Sequence, residues 1–141
     1  MKVFLDTSVL IAAQDAEHPH FLPSFPLLAE ATPETTACGA HTLAETYSVL
    51  SRLPGTKQKR PEFASLLVDQ MVARMTVVPL TVNEYITAIH NAAKSQHAGG
   101  KIFDALLLAC ARKANAEIIY TWNIKDFRAI APDLADRIIT P

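Results

Sequence analysis

The chain has 141 residues, half of them hydrophobic, enough to bury one good core, and no break in composition marks a join between two domains. With 13 Lys plus Arg against 14 Asp plus Glu, the formal charge of -1 excludes the global basicity that advertises a nucleic-acid partner and leaves room only for a local patch. No apolar run approaches the roughly 20 residues that span a membrane, Asp6 interrupts any signal-peptide core, and Cys38 and Cys110 lack the spacing of a disulfide or a zinc site, so one cytoplasmic domain with buried thiols is expected.

In chain order, the stretch "MKVFLDTSVLIAA" opens with a short buried strand at 2–5 that stops on a carboxylate, Asp6, before "VLIAA" begins a helix. Asp6 or Ser8 as the cap of that helix is one account; Asp6 as a metal ligand at the carboxyl end of a central strand is the other. Pro19, Pro23, Pro26 and Pro33 then break up the region 18–34, and a second strand is read at 35–38. The helix "HTLAETYSVLSRL" follows. At about 100° per residue it places Ala40, Leu43, Ala44, Tyr47 and Leu50 on an apolar stripe and His41, Glu45, Ser48 and Arg52 opposite. "PGTKQKR" at 54–60 reads as an exposed basic loop, and Pro61 as the first residue of a helix over 61–73. A third strand at 75–79 leads to Thr81 and Glu84, the two halves of a capping box for a helix over 82–95.

Next, "GGKIFDALLLACA" begins with two glycines that end the previous element and allow close backbone approach, then runs apolar around nearly its whole circumference. A helix of that kind is buried, and an acid on it, Asp104, is costly without a partner. Its alternative role is to complement the helix dipole in the first turn. A fourth strand at 117–121 delivers "TWNIKDF", with Thr121, Asn123 and Asp126 at a strand end where α/β folds keep their sites, or where loop capping needs short polar groups. A last short strand is read at 138–140. Strands alternating with helices predict a three-layer α/β/α domain with a short, mostly parallel central sheet.

Four stations thus supply oxygen ligands, with no Cys or His cluster among them, and oxygen-only sites suit Mg²⁺ or Mn²⁺. Carboxylates gathered around such a cation can activate water against a phosphodiester. His18 and His20 lack a third zinc ligand, His90 and His97 belong to a surface helix, Ser8 lacks a paired histidine, and Trp122 at a strand end packs or stacks on an unpaired base.

In order and spacing, Asp6 in "FLDTSVL", Glu45 in "HTLAETYSVLSRL", Asp104 in "GGKIFDALLLACA" and the "TWNIKDF" station resemble the PIN-domain ribonucleases, most closely the VapC-type toxins of bacterial toxin–antitoxin pairs, from residue 2 to about 127. The resemblance implies a Mg²⁺- or Mn²⁺-dependent endoribonuclease acting on RNA, a homodimer, and a small antitoxin protein as partner. It makes Asp6, Glu45 and Asp104 the metal-binding and catalytic acids, with Thr7 and Thr121 assisting. Asn123 stands where the family often has a fourth acid, so one metal, on Asp6 and Asp104, is expected before RNA arrives, with Asp126 as a substitute ligand. Arg52, Lys57, Lys59 and Arg60 would guide the phosphate backbone. Two rival readings are a PIN-like module that binds RNA or protein without cutting, and a receiver or phosphatase-like domain. Such domains usually present adjacent or alternating acids after the first strand, and "LDTS" has one.

Overall fold

A computed structural model describes residues 2–53 and 60–141. At its centre lies β1 (Val3–Leu5), paired in parallel with β2 (Thr36–Gly39) on one side and β4 (Ile118–Tyr120) on the other. Outside them run β3 (Thr76–Val78) and β5 (Ile138–Ile139), so the sheet order is β3-β2-β1-β4-β5 and every pairing is parallel. The helices between strands are α1 (Thr7–Ala13), α2 (Phe21–Ala29), α3 (Ala40–Ser51), α4 (Pro61–Arg74), α5 (Val82–Lys94), α6 (Lys101–Lys113) and α7 (Ile124–Ile130). Among the described residues no helix is long and apolar enough to cross a membrane.

Period-two alternation sends strand residues to opposite faces. Phe4, Ala37 and Ile119 pack with Leu107, Leu108 and Phe127 of α6 and α7. Leu5 and Cys38 pack with Val9, Leu10 and Met71 of α1 and α4. Covering both faces is what a parallel sheet requires, and it explains strands that read as short apolar runs. Burial pushes the Cys38 thiol up to about 12 and the Cys110 thiol up to about 11, as expected of packed, unreactive cysteines.

Four local readings are corrected. The prolines do not prevent a helix at Phe21–Ala29: Pro23 falls in its first turn, where amides have no intrahelical acceptor, and exposed Pro26 turns its ring to solvent while the helix rests on α1. On α3 the buried residues are Thr42, Thr46 and Leu50, while Ala44 and Tyr47 face water. The inward threonine Thr42 is acceptable because its hydroxyl meets that of Thr7 at 2.9 Å. α6 is buried through Leu106, Leu107, Leu108, Cys110 and Ala111 but not all round, since Phe103 is 48 % exposed and Lys101, Arg112 and Lys113 face solvent.

The fourth correction concerns glycine. A Cβ at Gly99 or Gly100 would meet nothing within 4 Å, and Gly99 is needed for its φ of +64° instead. Close approach happens at Gly39, where a Cβ would stand 2.8 Å from Leu107 Cδ2, so this residue lets α6 settle on the end of β2. The helix over 82–95 carries its capping box as read, with Thr81 Oγ1 accepting from the Glu84 amide and Glu84 Oε1 from the Thr81 amide. Of the basic group, Arg52 and Arg60 are exposed, and Lys57 and Lys59 lie outside the described residues.

Candidate active site

From β1 the chain moves to β2 and β3 on one side of the sheet, then returns to β4 and β5 on the other. Strand order reverses beside β1, and the crevice outside the carboxyl ends of the strands at such a point is where open α/β sheets bind ligands. Asp6 follows β1 and Thr121 follows β4, joined by the Asp6 amide donating to the Tyr120 carbonyl at 3.0 Å.

The capping account of Asp6 is the one the local geometry shows. Its backbone is extended and it caps α1, its side chain accepting from the Ser8 amide at 3.4 Å. The same oxygen, Oδ2, also accepts from Ser8 Oγ at 2.7 Å and from Thr121 Oγ1 at 2.8 Å. The carboxylate is only 2 % exposed, and burial raises its pKa against the lowering effect of these hydroxyls and amides. Capping therefore fixes the orientation of a buried acid through one oxygen.

Glu45 lies on α3 with its pKa raised by burial and by the charge of Asp6, and lowered by His41 and by the Thr7 hydroxyl. His41 Nε2 stands 2.9 Å from Glu45 Oε1 across one helical turn. Asp104 enters from the first turn of α6. Burial, then the charges of Asp6, Asp126 and Glu45, push its carboxyl up to about 6. Asp6, Glu45 and Asp104 therefore converge closely enough to oppose one another's ionisation, as like charges in a shared cleft do.

Asn123 belongs to the turn that follows β4. It stands exposed before α7, its amide N–H donating to Thr121 Oγ1 at 2.9 Å, and its side chain makes no capping bond. The residue of this turn whose charge reaches Asp104 is Asp126. Trp122 serves the packing: its indole N–H donates to buried Ser24 Oγ at 2.9 Å and its ring lies on that of His20, centroids 3.7 Å apart and planes within 10°. Thr42 is unmarked in the sequence, and Ser8 is read there only as a candidate cap and as a serine without a paired histidine. Ser8 Oγ accepts the Trp122 amide at 3.0 Å while donating to Asp6, tying the two strand ends together. The only hint was Ser8's place two residues after an acid that caps a helix.

The donor chemistry suits a hard cation. Each of these acids offers oxygen donors and has its pKa raised, so each would be relieved by a positive charge. Among the described residues, no three of the His, Cys, Asp and Glu side chains stand close enough to form a ready ligand set. Mg²⁺ keeps several of its waters and needs only one or two carboxylates directly, so an oxygen-only set of this kind would hold it partly hydrated.

A PIN domain family model matches residues 3–131. Ribonuclease VapC27 of Mycobacterium tuberculosis (strain ATCC 25618 / H37Rv) is 34 % identical over 85 residues, which is 60 % of this chain and 60 % of that relative's length. Among solved structures, Mycobacterium tuberculosis VapC20, a Sarcin-Ricin loop cleaving toxin, superposes with a TM-score of 0.72 at 23 % identity, over 91 % of this chain and 94 % of its own. VapBC from Salmonella typhimurium, solved bound to DNA, gives 0.67 at 18 % identity over 99 % and 98 % of the two chains. These two likenesses are of fold.

Proposed function

Because the chain belongs to the PIN domain family, with residues 3–131 matched, we propose that it is a divalent-metal-dependent endoribonuclease built as one domain, the toxin of a toxin–antitoxin pair. The observation that carries the reading is the gathering of Asp6, Glu45 and Asp104 at the switch point, each with its pKa raised by burial, with the charge of Asp6 acting on Glu45 and those of Asp6 and Glu45 acting on Asp104. A divalent cation there, Mg²⁺ or Mn²⁺, supplies water activation and offsets charge on the phosphodiester.

In this reading Asp6 and Asp104 hold the ion, with Glu45 completing its charge balance. Thr121 and Ser8 keep Asp6 aimed by occupying Oδ2, and Thr7, anchored on Thr42, supports Glu45. Asn123 offers a neutral amide where a fourth acid would add charge, so a second ion arrives only with the RNA phosphate. Hydrolysis adds water across one P–O bond, and the proton leaves with the departing oxygen. A small antitoxin protein silences the enzyme, a second copy pairs with it, and its place of work is the cytoplasm.

The test is cleavage of RNA by purified protein with Mg²⁺ or Mn²⁺, with EDTA, and in the Asp6→Asn and Asp104→Asn variants. Activity is expected only in the wild type with metal. Undiminished cutting in EDTA, or by both variants, would overturn the assignment.

A further inference from the structure

The mechanism above leaves His41 unused, although its contacts join both acid-bearing helices. Its Nε2 stands 2.9 Å from Glu45 Oε1, and its ring lies parallel to that of Phe103, planes 4° apart and centroids 5.2 Å. That is the offset-stacked arrangement aromatic rings favour. Phe103 is 48 % exposed and immediately precedes Asp104, so a large apolar ring stands at the surface beside the acids with the imidazole laid on it. A glutamate has three rotatable bonds to immobilise before it can hold an ion in a fixed geometry. One turn earlier on the same helix, a ring that is itself stacked on Phe103 stands in polar contact with that carboxylate.

Resting on the reading of Glu45 as an ion-holding acid, we propose that His41 is a positioning residue: braced by Phe103, it fixes the Glu45 carboxylate for the cation and ties that carboxylate to the turn that presents Asp104. His41 takes one carboxylate oxygen and leaves the other for the ion. Phe103 acts only through His41. Hydrogen-bonded partners that orient metal-binding carboxylates change metal affinity when they are removed, by about 10- to 100-fold.

The experiment measures Mn²⁺ binding to the full chain by the loss of the free-ion EPR signal, with melting curves and cleavage kinetics alongside. The proteins are wild type, Glu45→Gln, His41→Ala, His41→Gln, Phe103→Ala and the double His41→Ala/Phe103→Ala. We expect His41→Ala to bind Mn²⁺ about 10-fold more weakly with an unchanged melting temperature. Its kcat should return toward wild type at saturating Mn²⁺, with the KM for RNA unmoved. His41→Gln keeps an N–H donor and should recover part of the affinity. Phe103→Ala should lose less than His41→Ala, and the double variant no more.

Wild-type Mn²⁺ affinity in His41→Ala while Glu45→Gln is weakened would overturn the inference and leave the functional reading standing. Unaltered Mn²⁺ binding in Glu45→Gln as well would overturn the reading itself. A defect in His41→Ala that added Mn²⁺ does not relieve, or additive losses in the double variant, would also refute the positioning role. If His41→Ala does not fold, His41→Gln and Phe103→Ala decide, and wild-type affinity in both sinks the proposal.

Discussion

Neutralising Asp104 should stabilise the metal-free protein while destroying its activity. Burial and the charges of Asp6, Asp126 and Glu45 raise this carboxyl from 3.8 to about 6. Between those values the folded state binds more protons than the unfolded one, so stability falls as pH rises through the window and is flat above it. A shift of about 2 units corresponds to at most about 3 kcal/mol at 1.36 kcal/mol per unit. Asp104 is only partly buried, and solvent screening reduces this to about 1–2 kcal/mol. Asp104→Asn also gives up an acid in the first turn of α6, about 0.3–1 kcal/mol, leaving a net gain near 1 kcal/mol. For 141 residues that raises the melting temperature by about 3–4 °C at pH 7.5 in EDTA. Differential scanning calorimetry from pH 4 to 7.5 is the assay. The two curves should converge toward pH 4 and diverge by pH 6.5, and saturating Mn²⁺ should reverse their order, because ligand binding stabilises the wild type more. A variant no more stable than wild type at pH 7.5, with a wild type insensitive to pH in EDTA, would show that these acids do not oppose one another.

Because Asp126 contributes to the shift at Asp104, Asp126→Asn should lower the Asp104 pKa as followed by carboxyl NMR, and if Asp126 substitutes as a ligand it should cost activity comparable to Asp104→Asn. A silent Asp126→Asn confines the residue to its turn. Asn123→Asp should reduce the Mn²⁺ needed for half-maximal cleavage, and an unchanged or increased requirement would remove Asn123 from the site. Gly39→Ala puts a methyl 2.8 Å from Leu107 Cδ2 and should cost about 1–3 kcal/mol by overpacking, read as a lower denaturant midpoint; an unchanged midpoint would mean α6 yields freely. Thr46 Oγ1 is, among the described residues, the buried side-chain N/O atom without a partner, so Thr46→Val should stabilise by about 1 kcal/mol, and a loss of stability would reveal a hydrogen bond made by that hydroxyl.

The sheet was legible because buried parallel strands leave a simple trace. "VFL", "TACG" and "IIY" are short apolar or small-residue runs separated by helical spans, and all five strands fall within a residue or two of where the sequence suggests. Helix faces were harder to read. α3 buries Thr42 and Thr46 beside Leu50 and exposes Tyr47, a departure from the apolar stripe, with Thr42 meeting the hydroxyl of Thr7 on α1. α5 carries Val82, Tyr85, Ile86 and Ile89 at helical spacing and leaves all four exposed, so a regular stripe indicates a face without saying what covers it.

At the candidate site, two acids stand out because each is anomalous in its own neighbourhood, Asp6 ending an apolar strand and Asp104 preceding a run of leucines, while Glu45 on an ordinary polar stripe is marked only by the family resemblance. What holds them could not be found this way, since the supporting groups are ordinary where they stand. Ser8 looks like any residue in a helix's first turn, Thr42 like a weak helix former, and His41 like one more polar residue on a solvated stripe. Their importance comes from long-range contacts: Thr7 with Thr42 across 35 residues and Thr121 with Asp6 across 115, neither encoded in local spacing. Placing acids together in a buried crevice is destabilising, and hydroxyls are well suited to the task of tolerating it. They donate to a carboxylate without adding a charge that would compete with the cation, whereas a lysine or arginine in the same place would pair with the acid and close the site. A carboxylate held by neutral donors from one side stays available on the other, and the arrangement around Oδ2 of Asp6 meets that condition with two hydroxyls and an amide.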